Sequence, residues 1–399
     1  MKAARPYPIV TITPKGERAI VDGHPWVYEG EVVSVSGTPE DGGLADVVSK
    51  KGSWLGCGFY NSASKIRVRL VTRNANDDPA GDAFWERRLR YAWDYRKTVM
   101  GEADSRCCRI IFGEADGFPG LTVDRFERVL VAQVLSLGME RIKERVLPLL
   151  VRILREDGQV IRGVYERNDA ALRTLEGMAQ GKGWLVLPGE AVPEGTAEDI
   201  TENGIRYTVD FENGQKTGFF LDQKYNRQAV ARLARGKTVL DCFTHTGSFA
   251  LNAARGGAKH VTAVDVSDFA VACARENAAR NGLESVVDCV SANVFDLLPR
   301  LQRGSTTSSS WTRPPSPKAA RPPGGPWPDI RRSTTGPCGY CPGADTWPPA
   351  RAVTSPPRSC SGKCSATRPT TPGSSCGRSR PGSRPPTIPF SGAWRRPAI

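Results

Sequence analysis

The stretch Val239-Leu240-Asp241-Cys242-Phe243-Thr244-His245-Thr246-Gly247-Ser248-Phe249 decides the fold of this chain. A short apolar run ends on Asp241, a turn of small residues follows, and apolar residues at helical spacing begin at Phe249. This order predicts a buried strand, a tight loop and a helix N-terminus, which together open a nucleotide-binding α/β unit.

A second acid, Asp265, ends the next predicted strand, roughly 20 residues beyond the loop, where it can accept hydrogen bonds from ribose hydroxyls. The loop has neither the Gly-x-Gly-x-x-Gly pattern nor the Gly-Lys-Ser/Thr of a phosphate-binding loop, so a grip on pyrophosphate is not expected. The residues therefore favour an adenosine that carries a cationic sulfonium. The alternative is an ordinary βαβ unit whose small residues only allow tight packing.

The composition of the 399 residues allows two or three domains. The net charge of +13 suggests a nucleic-acid partner, but residues 304–399 hold 14 Lys and Arg and only 2 acids, so the body is nearly neutral. Any RNA-binding surface on the body must be a local patch. No apolar run of membrane-spanning length and no signal peptide is present, so we expect a cytoplasmic protein without a membrane partner.

Residues 5–75 are expected to form a β-rich RNA-binding module, because short predicted strands, such as 54–60, alternate with Gly, Asp and Asn turns. A phosphate-contacting face is predicted from five basic residues, and a solvated sheet face is the alternative of equal weight. The five residues are Lys50, Lys51, Lys65, Arg67 and Arg69.

Residues 80–192 are expected to form a small α+β domain of β-β-α-β order. Its predicted elements are a helix over 82–99, two strands joined by a Gly/Pro turn within 109–126, a strand over 129–135, a helix over 139–154 and strands at 163–167 and 185–187.

Four motifs identify a known family when they are taken together. They are GEADGFPGLTVD (113–124), YERND (165–169), TGFFLDQKYNR (217–227) and DCFTHTGSF (241–249). Over roughly residues 5–302 the chain resembles the large-subunit ribosomal RNA cytosine-C5 methyltransferases. The resemblance implies a PUA module, a small α+β domain and a class I methyltransferase domain with a Rossmann-like fold, here over 200–303.

The resemblance also implies a cofactor, a partner and a site. S-adenosylmethionine is expected over the loop 241–247, with Asp265 on its ribose, Asn293 near its adenine and the segment 219–227 across the site. The implied partner is large-subunit ribosomal RNA, and homodimerisation is left open. The predicted cofactor-binding residues are Phe220, Asp222, Gln223, Arg227, Asp241, Phe243, Thr244, Gly247, Ser248, Asp265 and Asn293.

Two stretches that this family's chemistry requires do not occur in the sequence. In the family, a cysteine of a TCSCS stretch adds to C6 of cytosine so that C5 can take the methyl group, and a DPPxF stretch holds the base. We therefore assign no catalytic residue in this chain.

The sequence changes character after Arg303, since 20 of the 31 prolines lie in 304–399. A disordered tail, a basic RNA-binding arm and a change of reading frame are the three interpretations, and the genetic code favours the last. Trp has only the codon TGG and Thr codons begin with AC, so Trp311-Thr312 read one base earlier gives Leu, Met or Val followed by Asp.

The same offset lets residues 306–318 encode YDFIILDPPAFTK, residues 326–335 encode ALAGYKEINY, and residues 345–354 encode GYLATCSCSH. Both missing stretches return in family order. We therefore expect a methyltransferase domain truncated after its third strand, a disordered tail over 304–399, weak or no cofactor binding and no methyl transfer. Zinc-like spacing occurs at Cys338, Cys341, Cys360 and Cys364. Because the shifted frame creates these cysteines, no metal is expected.

Two other functions remain open. The first is a guanine-N7 ribosomal RNA methyltransferase, whose domain has similar motifs. The second is a noncatalytic protein that binds ribosomal RNA through its N-terminal domains. His24 and His245 receive no assignment, because neither has a visible acid–base partner in the sequence.

Overall fold

A computed structural model describes residues 5–300 and, for residues 308–311, the backbone. In these ranges no helix is long and apolar enough to cross a membrane. No group of three or more potential metal-binding side chains was found among the described residues either. The four cysteines with zinc-like spacing lie outside the described ranges.

The N-terminal module is a six-stranded sheet in the order β2-β6-β5-β4-β1-β3. Its core consists of apolar residues from alternate strand positions, such as Val10, Ile12, Val47 and Val68. The strands are β1 (Ile9–Ile12), β2 (Trp26–Tyr28), β3 (Val32–Ser36), β4 (Leu44–Ser49), β5 (Trp54–Tyr60) and β6 (Ile66–Thr72).

Sequence reasoning missed two elements of this module, the helix α1 (Pro14–Val21) and the strand β3. The helix begins at the N-cap Thr13, whose hydroxyl accepts a hydrogen bond from the Gly16 amide at 3.2 Å, with proline in the first turn. This Thr-Pro signal was present in the sequence and was not used.

The middle domain is a five-stranded sheet in the order β11-β10-β9-β8-β7, and four of its strands, β7 to β10, lie where strands were predicted. Its two long helices pack on the sheet and on each other. The strands are β7 (Cys107–Phe112), β8 (Leu121–Phe126), β9 (Val129–Val134), β10 (Gly163–Asn168) and β11 (Gly181–Trp184); the helices are α2 (Asp82–Val99), α3 (Glu102–Ser105) and α4 (Leu137–Glu156).

The predicted strand at 185–187 is wrong, and the strand lies four residues earlier, at β11. β11 pairs antiparallel with β10, and the Trp184 ring lies 5.4 Å from that of Tyr165. Leu185 and Leu187 are nevertheless buried in the core of the middle domain. Burial of alternate leucines resembles a strand pattern in the sequence, but here it belongs to an irregular segment.

The C-terminal part of the described chain combines a hairpin with a parallel sheet in the order β16-β15-β14-β17. Helices α5 to α8 connect or flank these strands. The elements are β12 (Ala197–Glu202), β13 (Ile205–Asp210), α5 (Lys224–Leu233), β14 (Thr238–Cys242), α6 (Ser248–Arg255), β15 (His260–Asp265), α7 (Asp268–Arg280), β16 (Val287–Ser291), α8 (Val294–Leu297) and β17 (Ser308–Trp311).

The predicted truncation after the third strand fits the structure only in part, because the backbone of residues 308–311 forms a fourth strand, β17. β17 runs parallel to β14, with Val239 opposite Ser308 and Cys242 opposite Trp311. Backbone amides and carbonyls along the free edge of β14 need partners, and any extended segment can supply them whatever its side chains. The rest of the predicted disordered tail lies outside the described residues.

Candidate functional site

The loop after β14 is organised by the fully buried carboxylate of Asp241. Its Oδ2 accepts hydrogen bonds from the Thr244 hydroxyl at 2.6 Å and from the Ala250 amide, in the first turn of α6, at 3.0 Å. The Thr244 amide in turn donates to the Val264 carbonyl of β15 at 2.9 Å. The loop is therefore closed onto its own strand, helix and neighbouring strand.

The backbone of the loop takes conformations that most residues avoid. Phe243, His245 and Gly247 have φ of 60°, 52° and 81°. A Cβ on Gly247 would lie 3.1 Å from that of Ala274 in α7, so both the positive φ and the close helix require glycine here. Strain of this kind persists where the surroundings over-determine it, which is common at ligand sites.

Two buried polar atoms of the loop have no hydrogen-bond partner among the described residues, Asp241 Oδ1 and Thr246 Oγ1. Burial raises the pKa of Asp241 to about 7, against the hydrogen bonds from Thr244 and Ala250, which lower it. A buried acceptor without a donor costs free energy, so the loop is suited to a ligand that brings a donor or a positive charge.

Asp265 ends β15 beside this loop, as predicted from its spacing. Its Oδ2 accepts a hydrogen bond from the His245 amide at 2.9 Å, and its Oδ1 accepts one from the Ser267 amide at 3.0 Å. The structure therefore brings Asp241, the loop and Asp265 together at the carboxyl ends of β14 and β15. Burial lowers the pKa of His245, so its imidazole is biased toward the neutral form.

Asn293 follows β16 at the same edge of the sheet, but its side chain caps α8. Its Oδ1 accepts a hydrogen bond from the Phe295 amide at 3.0 Å. The Phe295 ring, which is 58% exposed, lies 5.8 Å from the ring of Phe243. This aromatic pair borders the edge where the sequence predicted an adenine, and only Phe243 was on the predicted list.

The segment Phe219–Gln223, which we call the arm, lies against the loop. The Phe220 ring meets the His245 ring edge to face at 5.6 Å, and the Lys216 ammonium lies 4.4 Å from the Phe220 ring centroid. Asp222 pairs with Lys216 at 3.2 Å and accepts a hydrogen bond from the Gln223 amide group at 3.1 Å. Of the three predicted residues in the arm, Phe220 thus contacts His245, whereas Asp222 and Gln223 contact Lys216 and each other.

Arg227, also predicted to contact the cofactor, has no exposed surface and is engaged elsewhere. Its Nε and one terminal nitrogen bind the two oxygens of Glu202 at 2.7 and 2.9 Å. The same terminal nitrogen donates to the Phe220 carbonyl at 3.0 Å. The direct cofactor contact predicted for Arg227 does not fit these contacts, because its donors serve the protein itself.

Other buried side chains anchor the chain on either side of the arm to distant parts of the molecule, and sequence reasoning gave them no role. The Thr217 hydroxyl donates to Asp124 Oδ2 at 2.6 Å, and Arg167 donates to the carbonyls of Phe211 and Gly214 at 2.7 and 2.9 Å. The buried Lys224 donates to the Cys107 carbonyl at 2.7 Å. The quoted motifs contain all four of these residues, Thr217, Asp124, Arg167 and Lys224. The motifs therefore mark tertiary anchors.

The five predicted RNA-binding residues are spread over the N-terminal sheet. Lys50 and Lys51 are exposed at the β4–β5 turn, whereas the exposed Lys65 precedes β6. Since β5 and β6 are antiparallel, these positions lie at opposite ends of the sheet, about 20 Å apart by the rise of a seven-residue strand. The three lysines are therefore spread over the length of the sheet, and the phosphate-contacting face stays a prediction.

The two arginines of β6 are held in ion pairs. Arg67 binds Glu29 at 2.7 Å, and Arg69 binds Glu114 and Glu176 of the middle domain at 3.3 and 2.8 Å. Arg69 therefore ties the N-terminal module to the middle domain. RNA binding by the three lysines stays a prediction.

Two family models match the chain. A model described as a PUA-like domain matches residues 10–73, and one described as an S-adenosylmethionine-dependent methyltransferase matches residues 182–317.

Curated relatives match over most of the described chain. Proteins named ribosomal RNA large subunit methyltransferase I are 36% identical over 295 residues in Klebsiella pneumoniae strain 342, covering 73% of this chain and 71% of the relative. The relative from Shewanella denitrificans is 40% identical over 291 residues, covering 72% and 71%. The relative from Aeromonas salmonicida is 38% identical over 283 residues, covering 71% and 69%.

Solved structures share the fold. A putative S-adenosylmethionine-dependent methyltransferase from Streptococcus mutans superposes with a TM-score of 0.60 at 22% identity, covering 73% of this chain and 72% of the other. A putative methyltransferase solved in complex with S-adenosylhomocysteine gives a TM-score of 0.61, also at 22% identity and with the same coverage.

Proposed function

The chain belongs to the ribosomal RNA large subunit methyltransferase I family, and from this premise we propose that its cognate reaction methylates C5 of a cytosine in large-subunit ribosomal RNA. By family the protein is an S-adenosylmethionine-dependent methyltransferase of ribosomal RNA with a PUA-like domain. The C5 specificity is supported by the TCSCS stretch that residues 345–354 encode in the offset frame. That stretch supplies a cysteine nucleophile of the kind that activates cytosine.

We propose that the cofactor is held at the carboxyl ends of β14 and β15. The unpartnered Oδ1 of Asp241 and the hydroxyl of Thr246 fit a cationic ligand with hydrogen-bond donors. Asp265, already oriented by two backbone amides, has the position for ribose hydroxyls. Phe220 and Phe243 line the site, while Thr244, Gly247 and Ser248 shape the loop; Asp222, Gln223 and Asn293 keep their predicted roles as proposals.

The chain's own residues would hold and orient the cofactor. When bound, S-adenosylmethionine supplies an electrophilic methyl group. The ionised Asp241 balances its positive charge from a buried position, where the interaction is stronger than in water. The neutral bias of His245 would keep a second positive charge out of the loop that holds the cationic cofactor. The RNA would be held by the N-terminal domains, for which we retain the boundaries 5–75 and 80–192.

We further propose that the residues after about 303 are encoded in a shifted frame. The observation that supports this proposal is β17. The backbone of residues 308–311 takes the place of the fourth sheet strand beside β14, and the offset frame encodes FIIL there, immediately before the DPPAF stretch. A strand of β-branched and aromatic residues suits a central parallel sheet, whereas Ser-Ser-Ser-Trp does not.

The chain as written should therefore bind the cofactor without transferring the methyl group. The expectation of weak cofactor binding depended on a bare edge of β14, and β17 covers that edge. All of the proposed cofactor residues lie at or before residue 293. The nucleophile and the base-holding stretch are missing from this frame, so the target cytosine is neither held nor activated at C5.

The test compares the full chain with a chain in which the frame is restored after codon 303. Both should bind S-adenosylhomocysteine in calorimetry, and only the restored chain should transfer labelled methyl groups to large-subunit ribosomal RNA. Nucleoside mass spectrometry should then identify 5-methylcytidine. Methyl transfer by the chain as written, or 7-methylguanosine as the product, would overturn the proposal.

A noncatalytic role in binding ribosomal RNA is the second candidate, because both catalytic stretches are absent. It predicts that RNA binding persists without any affinity for S-adenosylhomocysteine. The calorimetric result therefore separates the two candidates.

A further inference from the structure

The most completely buried ion pair of the described chain joins Glu202, at the end of β12, to Arg227 in α5. Both side chains are 0% exposed, and the closest approach is 2.6 Å. Burial raises the pKa of Glu202, and the Arg227 charge opposes that shift. Ion pairs with this degree of burial add little to the free energy of unfolding, because the cost of desolvation offsets most of the attraction. Another reason for the pair is therefore needed.

The surroundings of the Arg227 guanidinium supply that reason. It donates to the Phe220 carbonyl, lies 4.7 Å from the Phe219 ring centroid and lies 5.9 Å from the ring of Phe249, in the first turn of α6. One terminal nitrogen, Nη1, has no hydrogen-bond partner among the described residues. The two nearby rings compensate part of its charge, since aromatic faces attract guanidinium groups.

Arg227 thus contacts three elements that meet at the cofactor loop: the hairpin through Glu202, the arm through Phe219 and Phe220, and α6 through Phe249. Glu202 orients the planar guanidinium through two parallel hydrogen bonds, which leaves a donor aimed at the Phe220 carbonyl. The Phe220 side chain on the other side of that backbone meets His245 of the loop.

We propose that Glu202 and Arg227 are positioning residues for the cofactor site, and that they fix the arm against α6 without touching the cofactor. The proposal rests on the cofactor site described under Proposed function. Lysine cannot replace arginine here, because a single ammonium lacks the planar fork that binds Glu202 and the Phe220 carbonyl together.

The test uses the full chain and the double variant Glu202→Met/Arg227→Met. Two apolar side chains of similar length should fill the site without a buried charge, so the urea midpoint of unfolding should stay near that of the wild type. The Phe220 carbonyl loses the side-chain donor Arg227 and keeps only the Gln223 amide, so hydrogen exchange of the 219–223 amides should accelerate by about tenfold or more. The dissociation constant for S-adenosylhomocysteine should rise by about tenfold as the arm loosens.

Arg227→Lys is the second variant. It keeps the charge, and we expect the same tenfold loss of cofactor affinity and faster exchange in the arm. Arg128→Met is the matched control, because Arg128 binds Glu198 on the same hairpin at 2.8 Å but touches neither the arm nor α6. Arg162 also pairs with Glu198, at 3.3 Å, so that carboxylate keeps a partner. Exchange in the arm and cofactor affinity should both be unchanged in this control.

Wild-type exchange rates in the arm of the double variant would overturn the positioning role, because the pair would then serve packing alone. Wild-type cofactor affinity in Arg227→Lys would overturn it as well. A wild-type chain that fails to bind S-adenosylhomocysteine would instead refute the proposed cofactor site. The exchange measurement still tests the link between Arg227 and the arm in that case.

Discussion

The cofactor loop and the arm border the same site but are held in place in different ways. The loop is closed by contacts over short sequence distances, from Asp241 to Thr244 and Ala250 and from His245 to Asp265. The arm is held by Glu202 through Arg227, and the chain just before it by Asp124 through Thr217, at sequence separations of 25 and 93 residues. The comparison shows that a locally closed loop survives changes elsewhere, whereas an arm with distant anchors depends on the middle and C-terminal domains folding together.

The largest effect on stability is expected at an anchor of the arm. Glu202→Ala leaves the Arg227 charge buried without a counter-charge, which should lower the free energy of unfolding by about 3–5 kcal/mol. Urea denaturation measures this loss. Glu190→Ala is the control, since its pair with Arg155 is more than a third exposed on both sides and should contribute less than about 0.5 kcal/mol. If Glu202→Ala lowers the free energy of unfolding by less than about 1 kcal/mol, Glu202 is not an anchor of the arm.

A smaller effect is expected at Thr217, the anchor to the middle domain. Thr217→Val removes the hydroxyl that donates to the buried Asp124 at 2.6 Å, and Arg109 remains as the other partner of that carboxylate. We expect a loss of about 1–3 kcal/mol in urea denaturation. Thr208→Val is a matched control, because its hydroxyl donates to Asp199 at the same 2.6 Å but at an exposed position. Equal losses in both variants would show that burial of the Thr217 contact is unimportant.

In the loop, the expected effect is a pH dependence of cofactor affinity. Burial holds the pKa of Asp241 near 7, above its usual value, so the carboxyl is protonated at pH 6 and ionised at pH 8. Affinity for S-adenosylmethionine should rise about tenfold over this range, because the ionised form attracts the cation. By the same linkage, the stability of the free protein should fall as pH rises from about 4 to 7. Asp241→Asn should remove both dependences, and their persistence in that variant would assign them to another group.

The smallest effect on stability is expected for side chains that have neither local nor distant ion pairs in the described part of the chain. Lys50→Ala/Lys51→Ala should change the free energy of unfolding by less than about 0.5 kcal/mol. If both lysines contact phosphates, the salt dependence of RNA binding should lose a slope of about 2. Lys65→Ala, at the opposite end of the sheet, tests whether the second end contributes. Unchanged slopes in both variants would exclude these lysines from the RNA interface.

Much of the fold followed from periodicity. The helix over 82–99 and strands such as 54–60 were predicted at their observed bounds, because strong amphipathic or alternating patterns leave few alternatives. The strand at 185–187 was misplaced, since buried leucines on an irregular segment imitate alternation. The role of Arg227 was missed because a motif shows which residues occur together and does not show what each one touches.

The sequence by itself determined the nucleotide-binding unit, its two acids and the change of composition after residue 303. These features depend on neighbours in the chain or on the genetic code, and a linear reading contains both. Only the tertiary structure decided that Arg227 serves Glu202 and the Phe220 carbonyl, that Arg69 joins two domains, and that a fourth strand lies beside β14. Those facts depend on which donors and acceptors meet after folding. The buried polar groups concerned need partners, and here the partners lie far away in the sequence.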